Sequence, residues 1–147
     1  SEEVTLNGKV RGSENSLEIS SVTQVLHRIV TCPANQDTTV ANFHAATNTS
    51  DNALDVEDAK YIRVTNLDAS NSINLSLQID SAEDDSAAAE SATILVAGGR
   101  SFIMGAPSDG LAVSDANATI VTTLHNLESI LVDPGSNAIS VEVFIAS

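Results

Sequence analysis

Tryptophan is absent, and the aromatic residues of the 147-residue chain are Tyr61, Phe43, Phe102 and Phe144. A core cannot be assembled around large rings here, so it must rest on Val, Ile and Leu. A sugar-stacking or base-stacking platform would have to come from the same few rings, which counts against a lectin-like module without excluding it. Cysteine is limited to Cys32, so no intrachain disulfide can form. Its neighbours Ile29, Val30 and Pro33 mark it as a buried or half-buried structural thiol. Basic residues number 6 against 20 acidic ones, a net charge of −14. Such a chain repels phosphate backbones and anionic lipid and lacks a basic stripe, so neither nucleic acid nor membrane is expected as a partner. No apolar run approaches the ~18 residues of a membrane span. The first residues, SEEVTLNGKV, do not read as a signal peptide. With Ser1 taken as the native start, folding in a reducing cytoplasm is expected. The sequons at Asn48, Asn74 and Asn117 are then chance matches.

What the chain does contain is alternation. In SINLSLQID, Ile73, Leu75, Leu77 and Ile79 share one face while Asn74, Ser76, Gln78 and Asp80 share the other, as in a half-buried strand. In YIRVTN, Ile62 and Val64 point in while Arg63 and Thr65 point out. NLDASNS between them offers turn-forming Asn, Asp and Ser, so residues 61–80 read as a hairpin. ILVDPGSNAISVEVFIA repeats the pattern around Asp133-Pro134-Gly135-Ser136, with Ile139, Val141, Val143 and Ile145 on one face. Phe144, on the opposite face, implies cover from a neighbouring loop or another subunit. Gly98-Gly99 suits a hairpin turn between Thr93–Ala97 and Arg100–Met104. Shorter strands are expected at Val4–Val10, Leu17–Ile19 and Gly110–Val113. SVTQVLHRIV fits a helical face but is rich in β-branched residues, and reads as a strand. Residues 45–58 read as a loop with one helical turn, and residues 80–91 as a long acidic loop. The expected fold is all-β: one antiparallel β-sandwich domain over residues 1–147, of jelly-roll type, with about eight strands. Residues 1–16 are either one of its strands or an arm reaching a neighbour.

Reactive constellations are sparse. His27, His44 and His125 stand far apart, with no zinc-type spacing. A Cys32–His44–Asn42 nucleophile set has no local signature behind it. Neither a nucleophile elbow nor a phosphate-cradling loop is present. The densest polar cluster is Asp80, Glu83, Asp84 and Asp85, a weak candidate for Ca²⁺, since it lacks EF-hand spacing and the central Gly. No catalytic residues and no cofactor are expected.

Four phrases together resemble the small structural proteins of marine tailed bacteriophages: KYIRVTNLDASNSINLSLQI, ILVAGGRSFIMG, DGLAVSDANATI and LESILVDPGSNAISVEVFIAS. The resemblance covers residues 60–147 and is looser before them. It implies a virion structural protein without enzymatic activity, most simply a capsid decoration or cement protein. Such a protein would be made in the host cytoplasm and bind the outside of the assembled head, with the major capsid protein lattice and further copies of itself, as a homotrimer, for partners. The alternatives are a tail- or fibre-associated sandwich contacting a host receptor, and a lectin-like or calcium-binding module.

Overall fold

A computed structural model describes residues 2–13, 16–44, 54–80, 88–116 and 119–147. Its strands are β1 (Glu2–Leu6), β2 (Lys9–Ser13), β3 (Val25–Cys32), β4 (Thr38–His44), β5 (Leu54–Asp55), β6 (Tyr61–Asn66), β7 (Ile73–Asp80), β8 (Ala88–Val96), β9 (Ser101–Met104), β10 (Leu127–Asp133) and β11 (Ile139–Ala146). The alternating runs form these strands because period-two patterning places every second side chain on one face. One sheet has the order β5-β4-β10-β7-β8 and the other β3-β11-β6-β9, while β1 and β2 form a separate hairpin. All pairings are antiparallel except the short β4–β5 contact.

The two sheets share one core. Val40, Leu75, Leu77 and Ile130 from the five-stranded sheet join Ile62, Val64, Val141 and Ile145 from the four-stranded sheet. The expected inward faces of β6, β7 and β11 are all buried. Each fully buried aliphatic side chain contributes roughly 1.5–3 kcal/mol by leaving water, so a core poor in rings suffices. Cys32 is fully buried among them, and burial pushes its thiol pKa up.

Strand partners differ from the expectation. β6 and β7 do not form a hairpin: β6 lies in the four-stranded sheet and β7 in the five-stranded one. The arms around Gly98-Gly99 likewise separate, β8 pairing with β7 and β9 with β6. The Pro134-Gly135 turn also crosses between sheets, from β10 to β11. Each linker is therefore an arch over the sandwich edge. Asn66 shows why. Its side chain is fully buried, and its Nδ2 donates to Asn71 O at 2.8 Å and to Val96 O at 3.2 Å. Its Oδ1 accepts from Asp68 N at 3.0 Å, while its backbone N donates to Arg100 O and its carbonyl accepts from Gly99 N. One amide thus fastens the 67–72 arch to the 97–100 arch. Gly98 is required at that junction, because a Cβ there would lie 2.8 Å from Ala69 C and 2.9 Å from Asp68 O.

Other boundaries move as well. Val4–Val10 is two strands, broken at Asn7-Gly8, whose φ values of 53° and 73° suit a primed hairpin turn. Leu17–Ile19 belongs to no strand, and Leu17 is exposed. Val25–Cys32 is a strand, in register with β11 along its whole length, so β-branched content outweighed the helical pattern. Residues 110–113 supply only a single bridge, Leu111 to His125. Of the expected acidic loop over 80–91, Asp80 instead ends β7 and residues 88–91 belong to β8, while residues 81–87 lie outside the described residues. The expected helical turn falls partly on residues 45–53, outside the described residues. Residues 54–55 are strand and 56–58 a turn.

Candidate interaction surface

Side chains that point away from the core on the four-stranded sheet make the most structured surface of the protein. The register sets Phe144 of β11 opposite His27 of β3 and Arg63 of β6. Glu142 lies one outward position along, opposite Ile29 and Thr65, so His27 and Arg63 are its diagonal neighbours. It uses both. Glu142 Oε2 lies 3.1 Å from His27 Nε2, and Glu142 Oε1 accepts from Arg63 Nη2 at 2.6 Å. The hydrogen bonds from His27 and Arg63 hold the Glu142 carboxyl below its ordinary pKa.

The guanidinium carbon of Arg63 sits 5.4 Å from the centre of the Phe144 ring, within cation–π range. The Tyr61 ring meets Phe144 edge-on at 6.0 Å, and His27 lies tilted at 6.1 Å. The cover inferred for Phe144 is therefore supplied by flanking strands of its own sheet. Around this cluster Val25, Ile29 and Ile103 are exposed, at 53%, 62% and 57%. Thr31–Ser140 and Thr65–Ser101 hydroxyl pairs continue the surface at 3.2 and 2.8 Å. Aromatic rings, an arginine and exposed aliphatics in one patch match the composition of protein–protein contact surfaces. The outer face of the five-stranded sheet is more polar, a shallow hollow in which Asn74, Ser76, Gln78, Thr93 and Asp133 surround Leu131, with exposed Leu95 beside it.

Of the nucleophile candidates, Cys32 and Asn42 are not brought together. Cys32 faces the core from β3, whereas Asn42 is exposed on β4 of the other sheet. Asp80 is buried at the end of β7; its backbone N donates to Asn126 O, and its Oδ1 has no partner among the described residues. Glu83, Asp84 and Asp85 lie outside the described residues. Among the described residues no group of three His, Cys, Asp or Glu side chains could hold a metal ion. Sequence reading missed the His27–Glu142–Arg63 cluster. The signal was present as polar residues on the outward positions of β3, β6 and β11, but nothing local says that β11 lies between the other two.

No family model matches the chain, and no curated protein matches it. A solved chain described under "Bacillus endospore appendages form a novel family of disulfide-linked pili" is similar in structure, with a TM-score of 0.40 and 14% identity over 90% of this chain and 95% of that one. A likeness at that score carries no argument about function. The class that can be stated is an all-β, two-sheet sandwich protein.

Proposed function

We propose that the protein is a structural component of a tailed-phage virion, a decoration or cement protein that binds the outside of the assembled head as a homotrimer. The observation that carries this reading is the outward face of the four-stranded sheet. It offers an ordered, partly apolar patch of Tyr61, Arg63, Phe144, Ile29 and Ile103 on a body that is otherwise strongly acidic. Such a patch is equipped for contact with protein rather than for turnover of a substrate. Enzymatic activity and cofactors form no part of the reading.

Two further features support it. The strand pairs are nested, β3 with β11, β4 with β10, β6 with β9 and β7 with β8. We read that nesting as a jelly-roll wrap, an architecture common in capsid and lectin domains. Three of the four phage-like phrases fall on inter-sheet arches and their strands, β6–β7, β8–β9 and β10–β11. Function would then reside in geometry. Several modest contacts made at once to a shell act together, and binding the assembled lattice but not free subunits stabilises the lattice by mass action. The protein would be made in the host cytoplasm and reside on the outer capsid surface.

Cryo-electron microscopy of particles carrying the chain tests the reading. Density outside the head at three-fold or quasi-three-fold axes is the expected result. Density at the tail vertex or fibres would overturn it in favour of a receptor-contacting sandwich.

A further inference from the structure

The side of the sandwich formed by β8 and β9 is open. Both are terminal strands of their sheets, and among the described residues neither has a partner on its outer side. Ile94 pairs with Leu75 and Phe102 with Val64, so both take inward-facing positions opposite buried residues. Yet Ile94 is 37% exposed and Phe102 only half-buried, and among the described residues no strand closes the gap beside them. A hollow lined by Ile94, Leu95, Val96, Arg100 and Phe102 sits at the end of this seam beside the 97–100 arch. The opposite side is fastened: Arg28 of β3 donates across the sandwich to Val40 O of β4, and β5 covers the edge of β4. A nine-residue edge strand with an apolar seam is a template for strand addition.

The chain also carries a separate hairpin: among the described residues β1 and β2 pair only with each other, and a lone two-stranded hairpin is marginal in water. Its tether is pinned at Ser20–Gln24, where Lys60 Nζ donates to Ser20 O and Ser21 O, and Thr23 N and Gln24 N donate to Ser147 O. A fully extended chain from Ser13 to Ser20 spans at most roughly 25 Å from that anchor.

We propose that the β1–β2 hairpin of one copy docks along the β8 edge of a second copy, closing the seam over Ile94 and Phe102. Charge favours this occupant. Glu2 and Glu3 balance Lys9 and Arg11, so the whole net charge of −14 belongs to residues 14–147. Two such bodies repel, and the hairpin can approach a neighbour's body without adding like charge. β2 brings Lys9 and Arg11 with no acid, and β8 presents exposed Glu90. The inference holds whether or not the protein sits on a capsid.

Two altered chains test it by complementation. One lacks residues 1–13 and keeps the seam. The other carries Ile94→Lys, with Leu95→Lys as a milder block at a residue 65% exposed, and keeps the hairpin. Circular dichroism and thermal melting establish that each is folded. By light scattering the intact chain should exceed the 15.2 kDa monomer mass, each altered chain should fall to a monomer, and an equimolar mixture should form a one-to-one complex. Failure of the mixture to associate overturns the proposal. So does an oligomer that persists in both altered chains, which would place the interface elsewhere. A monomeric intact chain whose melting temperature drops on deletion of residues 1–13 also overturns it, since the hairpin would then serve its own body.

Discussion

Asn66 is the residue on which the arches depend. Replacing it with Ala removes two donated bonds and one accepted bond, and strands the carbonyls of Asn71 and Val96 and the N–H of Asp68. Asn66→Ala should therefore lower unfolding free energy by about 2–3 kcal/mol in urea titration, more than one ordinary hydrogen bond. Asn66→Asp should be worse, because a carboxylate would face two carbonyl oxygens. Glu142 makes a second prediction at this scale. Its folded-state pKa is depressed, first by His27 and then by Arg63. A depressed carboxylate contributes stability above its unfolded pKa and loses it as pH falls through the folded value. The contribution should be complete at neutral pH and fade on acidification below the ordinary glutamate range of ~4.3. Melting temperatures measured down to strongly acidic pH should fall less steeply for Glu142→Gln than for the native chain.

At the scale of elements, what could be read and what could not divide cleanly. Inward faces were legible, because alternation fixes which side of a strand is apolar: Ile73, Leu75, Leu77 and Ile79 are buried as expected. Partners were not. The Leu67–Ser72 linker contains residues that suit a tight hairpin and an arch equally well, and in both cases Ile62 and Ile73 reach one core. The deciding facts are the buried Asn66 amide and the close approach of Gly98 to Ala69, and both are long-range. The interaction surface was invisible for the same reason: Arg63 and His27 are separated by 79 and 115 positions along the chain from Glu142, which they flank. A clean test follows. Gly98→Ala places a methyl group against backbone of the neighbouring arch and should cost about 1–3 kcal/mol. Gly105→Ala, where a Cβ meets nothing within 4 Å, should be nearly neutral in the same chemical denaturation assay.

For the whole molecule, the contrast between its two outer faces matters most. One is a shallow, more polar hollow, and the other joins rings, an arginine and aliphatics. If the second is the docking face, Ile29→Asp and Ile103→Asp should fold normally, since both side chains point into water. Each should weaken cosedimentation with assembled heads by roughly tenfold or more, as expected when a charge enters the centre of an interface. Normal binding by both variants would exclude this face.

The nested pairing also governs when the fold can form. β11 is the last strand of the eleven, yet it is the central partner of both β3 and β6. Its register joins Ile139 to Cys32 and Ala146 to Val25, contacts that span most of the chain. A sandwich of such high contact order folds on the slow scale of milliseconds to seconds. During synthesis β3 and β6 must wait, without a neighbour between them, until residues 139–146 have left the ribosome. A nascent chain therefore cannot complete the four-stranded sheet or assemble its outer face early. Ribosome-bound chains stalled before residue 139 should remain protease-sensitive, and protection should appear in one step once β11 emerges.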